Sequence, residues 1–351
     1  MKKKMKIAFL APLFESVPPQ TYGGTELVVD YVARGLKERG HDVTVFASGD
    51  SQIKTKLIKM CPKALRTDKA VTNPQAYITL MMGKFFQRWA DKFDIISNHT
   101  DFNALICEPW TKKPVVTTMH GVIIPERRIC YTYYNNRSYF ISISKNQRIN
   151  APNLRYVANI YHGIDLKHYK FNAKPMDYLF WIGRISPLKG TKEAIEIAHH
   201  VGRRLIIAGK VDDVDKEYYE KEISPLIDKR EVQSVGELTS REKAEYLRNA
   251  YALLSPLNWQ EPFGLIVIEA YASGTPVLTT RRGSMPELIE QGKTGFVVRN
   301  TLELKDCVDK VSKIDRNYVY EVAKKKFDKE RMIDEYEKTF LRICKNHNHK
   351  K

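Results

Sequence analysis

Asn258-Trp259-Gln260-Glu261-Pro262-Phe263-Gly264-Leu265-Ile266-Val267-Ile268-Glu269 joins an apolar run to a helix-periodic one. The run before it, Tyr251 to Pro256, has the length of a buried strand. Pro262 stands where a helix starts, and Leu265 to Ala272 carries helical periodicity that stops near Gly274. Strand, short loop and helix in that order form the repeating unit of an open parallel sheet, where the helix N-terminus faces the ligand crevice. First-turn amides at Phe263, Gly264 and Leu265 suit an anionic ligand. Two carboxylates, Glu261 and Glu269, flank them.

The same alternation extends in both directions. Upstream, Tyr178 to Ile182 reads as a strand, followed by Gly183-Arg184-Ile185-Ser186-Pro187-Leu188-Lys189-Gly190 and a helix through Ile195 and Ala198. Arg184 offers a planar donor fork for phosphate oxygens, and Lys189 adds a compact positive charge. Arg204 to Gly209, Val232 to Gly236 and Val277 to Thr280 are further strands, which together imply βαβ units and a parallel sheet. Asp212-Asp213 reads as an exposed loop. Gly292-Lys293-Thr294-Gly295-Phe296 is a turn before a last short strand, without the glycine spacing of a P-loop.

The N-terminal half opens the same way. Lys6 to Pro12 is a strand, and Thr25 is expected to cap a helix whose face is Leu27, Val28, Tyr31, Val32 and Leu36, ending at Gly40. Asp42 to Ala47 is the next strand, so the opening is Rossmann-type, although no GxGxxG is present. Gly23-Gly24 reads either as a plain tight turn or as a place where backbone amides approach a phosphate. Residues 48 to 75 read as irregular and basic. Leu80 to Phe93 is a helix expected to pack Phe85, Phe86, Trp89 and Phe93 inward, with a membrane surface as the alternative for its Lys84, Arg88 and Lys92. Strands follow at Phe93 to Ser97, Val115 to Met119, Tyr139 to Ser144 and Arg155 to Ile160. His120 stands at the carboxyl end of its strand, where side chains face the crevice. From Leu302 the chain is helical and charged, with Met332, Tyr336, Phe340 and Ile343 as an apolar stripe.

At 351 residues the chain suffices for two ordinary domains. No apolar run is long enough to span a bilayer, and the apolar part of Met1 to Leu10 is too short for a signal peptide. Five cysteines without CxxC spacing point to free thiols in a reducing, cytoplasmic setting. His347-Asn348-His349 reads as a frayed polar tail and not as a metal grip. With 58 Lys and Arg against 41 Asp and Glu, the net charge of +17 favours anionic partners: nucleotide sugars, an acidic membrane surface or nucleic acid.

Glu261-Pro262-Phe263-Gly264-Leu265 with Glu269 resembles the E-x-F-G-x-x-x-x-E signature of the retaining GT-B glycosyltransferases of family 4, the glycosyl transferases group 1 type. Gly183-Arg184 to Lys189-Gly190 resembles the family's G-R-x-x-x-x-K-G element, and Thr118-Met119-His120-Gly121 resembles the segment holding its histidine near the anomeric carbon. Three positions depart from the pattern: Ser97 replaces the first of two histidines, His162 the asparagine of an Asn-Gly-x-Asp turn, and Ser284 the second glycine of a Gly-Gly-x-x-Glu loop. The resemblance implies an α/β fold of two Rossmann-like domains facing each other across a cleft. It places an acceptor-side domain at residues 1–165, a nucleotide-sugar domain at 166–328 and a helix at 329–351 crossing back to the first. It implies hexosyl transfer from a UDP- or GDP-sugar to a hydroxyl of a glycan, lipid or small molecule, at a cytoplasmic site that extends to the inner membrane face.

In that reading Glu261 anchors the transferred sugar, Glu269 takes the ribose hydroxyls, and His120 lies beside the sugar. Arg184, Lys189 and the amides at Gly264 and Leu265 stabilise the departing diphosphate. Gly23, Gly24, Gly183, Leu238 and Phe263 line the donor site, and His99 touches the acceptor. No DxD pair stands where a metal belongs, so metal-independent chemistry without a cofactor is expected. Three rivals remain: a sugar-nucleotide epimerase of the same fold, separated by product analysis; a non-catalytic sugar-nucleotide-binding module; and a basic nucleic-acid-binding protein. The last would need a stacking platform or a basic reading helix, and the sequence offers neither.

Overall fold

The structure, a computed structural model, describes residues 4–20 and 23–348. Met1, Thr21 and Tyr22 of the glycine loop, and His349 of the tail lie outside the described residues. The chain divides into two units, one of Met1–Gly163 with Lys329–Lys351, the other Ile164–Asp328.

The first unit holds seven parallel strands: β1 (Lys6–Leu10), β2 (Asp42–Ser48), β3 (Lys56–Cys61), β4 (Ile95–Asn98), β5 (Val115–Thr118), β6 (Tyr139–Ser142) and β7 (Tyr156–Asn159), in the order β3-β2-β1-β4-β5-β6-β7. Both faces are covered, which is why β1 is apolar at successive positions. Ile7 and Phe9 pack with the helix Gly24–Glu38 and the helix Lys329–Asn348, whereas Ala8 and Leu10 pack with the helix Pro74–Arg88. Phe85 and Phe86 of that last helix are buried, as are Ala90 and Phe93 after it, so its aromatics face inward.

Three local expectations are corrected. Thr25 does not cap the first helix: Gly23 holds the cap position with φ 152, and Thr25 sits within the first turn. Residues 56–61, expected to be irregular, form β3 at the sheet edge, with Lys56 and Lys59 exposed as edge charges. The helix read from Leu80 begins six residues earlier, where Asn73 accepts from the Ala76 amide and Pro74 fills the first position.

The second unit holds β8 (Leu179–Ile182), β9 (Leu205–Ala208), β10 (Val232–Ser234), β11 (Ala252–Ser255), β12 (Val277–Thr280) and β13 (Gly295–Val298), all parallel, in the order β10-β9-β8-β11-β12-β13. In each sheet the chain first builds outward on one side and then returns to the other side of its first strand. The reversals fall between β1 and β4 and between β8 and β11. Crevices open at the carboxyl ends of strands at such points.

The helix Lys329–Asn348 belongs to the first unit, burying Met332, Tyr336, Phe340 and Ile343 there. His347, read as part of a frayed tail, is helical and its Nε2 bonds the Lys112 carbonyl at 2.7 Å. No helix among the described residues is long and apolar enough to cross a membrane. Cys61, Cys107, Cys130, Cys307 and Cys344 are all free thiols.

Candidate active site

The loops after β8 and β11 meet at the second unit's reversal. After β8, Gly183 donates to the Ala208 carbonyl, and the turn Pro187–Lys189 ends at Gly190 in a left-handed conformation (φ 69). A Cβ on Gly190 would lie 1.8 Å from the Pro256 carbonyl oxygen, so only glycine lets the two loops close up. Asn258 stitches them further, its amide donating to the Leu188 carbonyl at 3.0 Å and its side chain to the Pro187 carbonyl at 3.0 Å. Buried Trp181 donates its indole N–H to the Lys189 carbonyl at 3.2 Å, fixing the backbone that carries this lysine.

Lys189 and Glu261 are thereby brought together. Lys189 Nζ lies 2.6 Å from Glu261 Oε2, which also accepts the Trp259 indole N–H at 3.1 Å. The ammonium sits 4.4 Å from the Trp259 ring centroid, a cation–π distance. Gly283 presses on this loop from behind: at φ 56, its Cβ would meet the Glu261 carbonyl oxygen at 2.1 Å. Ser284 donates its hydroxyl to the Phe263 carbonyl at 2.6 Å, a bond that the glycine expected at this place would not make.

Arg184 pairs with other carboxylates than Lys189 does. Its Nε lies 3.2 Å from Asp215 Oδ2 and its Nη1 3.6 Å from Asp212 Oδ2. Asp212 also meets Lys210 Nζ at 2.8 Å, so of the aspartate pair expected in an exposed loop only Asp213 is exposed. The helix after β11 runs over Leu265–Tyr271 and not from Pro262, because left-handed Gly264 (φ 87) interrupts the helical path. Gly264 and Leu265 are half-buried at its start, while the Phe263 side chain is 2% exposed and packs edge-on to Phe327. Glu269 is 3% exposed and pairs with Lys243 Nζ at 2.7 Å. Leu238 is half-buried after β10, just before the helix Ser240–Asn249.

In the first unit the reversal point collects histidines. The His99 amide donates to the Leu10 carbonyl, which ties the loop after β4 to β1. His99 Nε2 is 2.9 Å from Ser97 Oγ and its Nδ1 is 2.8 Å from His120 Nε2. His162 stacks on His120 with centroids 5.3 Å apart. Burial pushes His120 down to about 3. Burial, and then the neighbouring histidines, hold His99 and His162 well below the ordinary imidazole range. All three are therefore neutral near pH 7. Beside them lies a cavity of about 330 Å³, lined by Thr25, Gln75, Asp101 and Arg127 among others. Asp101 has φ 60, a costly conformation for an aspartate, and Arg127 Nε pairs with it at 2.8 Å. Gly23 and Gly24 start the first helix close by in sequence to Thr25.

Sequence reasoning missed Lys243, Trp259, Asp215 and Arg127. Trp259 alone carried a local signal, two residues from Glu261; the others act through partners distant in the chain.

The chain matches the model for Glycosyl transferases group 1 over residues 166–334 and that for Glycosyltransferase Family 4 over residues 22–181. It is 25% identical over 331 residues to a glycogen synthase of Mycobacterium tuberculosis, spanning 79% of each chain. Anabaena Alr3699/HepE, solved in complex with UDP and glucose, shares 20% identity at a TM-score of 0.75, covering 95% of this chain and 99% of that one. Sucrose-phosphate synthase from Thermosynechococcus elongatus shares 16% identity at a TM-score of 0.75, covering 99% of both. These likenesses show the fold, two Rossmann-like domains. Two adjoining family models in chain order, matched on a fold whose sheet reversals carry the motif residues, place the chain in the family 4, group 1 glycosyltransferases.

Proposed function

We propose that this glycosyltransferase moves a hexose from a UDP- or GDP-sugar to an acceptor hydroxyl, with retention of anomeric configuration and without a metal or other cofactor. The observation that carries this reading is the Lys189–Glu261 pair clasped by Trp259 at the reversal of the second sheet. The bond broken joins the anomeric carbon to the β-phosphate oxygen, which gains negative charge as it leaves. Lys189 exchanges Glu261 for that diphosphate, and Glu261 is released to hold the sugar hydroxyls. Arg184, kept in place through its Nε by Asp215, exchanges the longer contact of its Nη1 with Asp212 for the same phosphates. Fixed cations aimed at developing charge lower the barrier, the task a divalent ion performs elsewhere. The acceptor oxygen attacks from the face the diphosphate leaves, and its proton passes to a diphosphate oxygen. His120, neutral because buried, lies beside the sugar as a dipole and not as a charge; His99 acts through it. The net charge of +17 favours a phosphate-bearing or membrane-borne glycan or lipid as acceptor, with small molecules as the other class.

The experiment is a panel of UDP- and GDP-sugars assayed for slow hydrolysis, with the UDP and glucose complex of HepE favouring UDP-glucose as the first donor. The expected result is one preferred donor, an α-configured product by NMR from an α-donor, and a rate unchanged by EDTA. Lys189→Ala is expected to lower kcat by about 100- to 1,000-fold. An inverted product, or an EDTA loss restored by Mg²⁺, overturns the corresponding part.

A further inference from the structure

Glu269 is a carboxylate almost wholly removed from water, at 3% exposure, inside the helix Leu265–Tyr271. One oxygen, Oε1, is bound by Lys243 Nζ at 2.7 Å. The other, Oε2, has no hydrogen-bond partner among the described residues. The Lys243 side chain, 22% exposed, is the cation in contact with this buried carboxylate.

Lys243 is itself held by its setting. It is the fourth residue of the helix Ser240–Asn249, whose first turn is locked by reciprocal bonds: Thr239 N donates to Glu242 Oε2 at 2.8 Å, and Glu242 N to Thr239 Oγ1 at 3.3 Å. The same turn follows directly on Gly236-Glu237-Leu238 at the end of β10. The lysine therefore ties the carboxylate on one helix to the loop at the end of a strand on the other side of β8.

We infer that Lys243 is a positioning residue for the nucleotide's sugar: it holds Glu269 in one orientation, with Oε2 turned to the ribose diol, and so sets the preference for ribonucleotide over 2′-deoxyribonucleotide donors. The inference rests on the proposed placement of Glu269 against the ribose. A charged acceptor gains most from two adjacent hydroxyls, each donating to it. A 2′-deoxy nucleotide lacks one of the two and gains less. Without Lys243 the carboxylate loses the contact that fixes Oε1 and turns out of line with the diol, which removes the charge-assisted bonds to the ribose. The loss therefore falls on the ribo form. A lysine that merely supported the fold would weaken ribo and deoxy forms equally.

The test is calorimetric binding of UDP, GDP and ADP, each beside its 2′-deoxy form, to the full chain, carrying on with the base that binds best. Wild type is expected to favour the ribo form by about tenfold or more. Lys243→Met should lower ribo affinity about tenfold, leave the deoxy form nearly unchanged, and bring the ratio close to one. Lys243→Arg, which retains a cation, should recover most of the ratio. If Lys243→Met does not fold, Lys243→Gln decides: a ratio reduced at least about threefold supports the inference, and an unchanged ratio overturns it. A wild-type ratio in Lys243→Met also overturns it, even where both affinities fall. The two levels separate through Glu269→Gln. If that variant abolishes the preference and Lys243→Met does not, only the lysine's role fails; if wild type shows no preference, the placement of Glu269 fails with it.

Discussion

Ser97 Oγ stands 2.9 Å from His99 Nε2, and the direction of its hydroxyl hydrogen determines what His120 offers at the end of the chain. If Ser97 donates, His99 Nδ1 carries the proton toward His120 Nε2, and His120 Nδ1 is left as a donor. If Ser97 accepts, the pattern reverses and His120 Nδ1 is left with a lone pair. In the proposed placement of His120 beside an electron-poor sugar carbon, the lone pair is the useful arrangement. Ser97→Ala removes the anchor and leaves a fully buried imidazole nitrogen without its partner. The expected cost is about 1–3 kcal/mol of stability. The kcat should fall about tenfold with donor KM unchanged, as the tautomers of His120 mix. Nitrogen-15 NMR of the histidines checks this: two-site averaging at His120 is expected in the variant and a single tautomer in wild type. An unaltered His120 spectrum would show that the serine only fills space. This is also where the sequence was least informative. Ser97 looked like a lost histidine, yet it is fully buried and its hydroxyl meets His99 Nε2.

The helix Lys329–Asn348 comes from the far end of the chain and packs into the core of the first unit. Its apolar stripe covers one face of β1, with the Phe340 ring 6.4 Å from that of Phe9 and the Tyr336 hydroxyl 3.0 Å from Thr118 Oγ1, two residues before His120. Arg39 meets Glu330, Asp334 and Glu337 of the helix, and buried Glu337 also faces His41. Phe340→Ala should cost about 3–5 kcal/mol by cavity formation, and Tyr336→Phe about 1–3 kcal/mol because Thr118 loses its partner. Urea denaturation monitored in the first unit reads both. Equal small losses would mean the helix adds little. Elements of this kind were legible in the sequence because periodicity survives burial on one side. The interior strands were legible too, as short apolar runs ending in Gly, His or Arg. β3 was not, because an edge strand is half solvated: Lys56 and Lys59 break the apolar signal while the backbone still pairs with β2. The helix from Leu265 was legible from its periodicity; only Pro262, which looked like its first residue, lies outside it, because left-handed Gly264 intervenes. Lys243 was invisible because its meaning lies in Glu269, 26 residues further on.

At the scale of the folded unit, buried titratable groups pull stability in opposite directions. His99, His120 and His162 stay neutral in the fold, His120 down to about 3, while in the unfolded chain each protonates around pH 6.5. As pH falls below 6.5, the unfolded state binds more protons, and each histidine removes about 1.4 kcal/mol per pH unit. Glu26 and Glu108 act oppositely. Burial raises both to about 7, so the fold holds their protons while the unfolded chain releases them above its ordinary value of 4.5. Their contribution is full below 4.5 and is lost as pH rises through 7. Between pH 6.5 and 4.5 three histidine protons are set against two carboxyl protons, and the net slope is about one proton, or about 1.4 kcal/mol per pH unit. Below 4.5 the glutamates no longer compensate and the slope steepens, softened by Asp30 and Asp101, which burial also raises. His162→Asn removes one histidine. Its unfolding free energy should be nearly flat with pH from 6.5 to 4.5, and the gap between the two curves should change by about 1.4 kcal/mol per pH unit. That difference isolates a single site, because every other group cancels. Chemical denaturation of both proteins at half-unit pH steps measures it. Parallel curves would mean that His162 is already protonated in the fold, and the neutral histidine stack on which the site geometry rests would have to be abandoned.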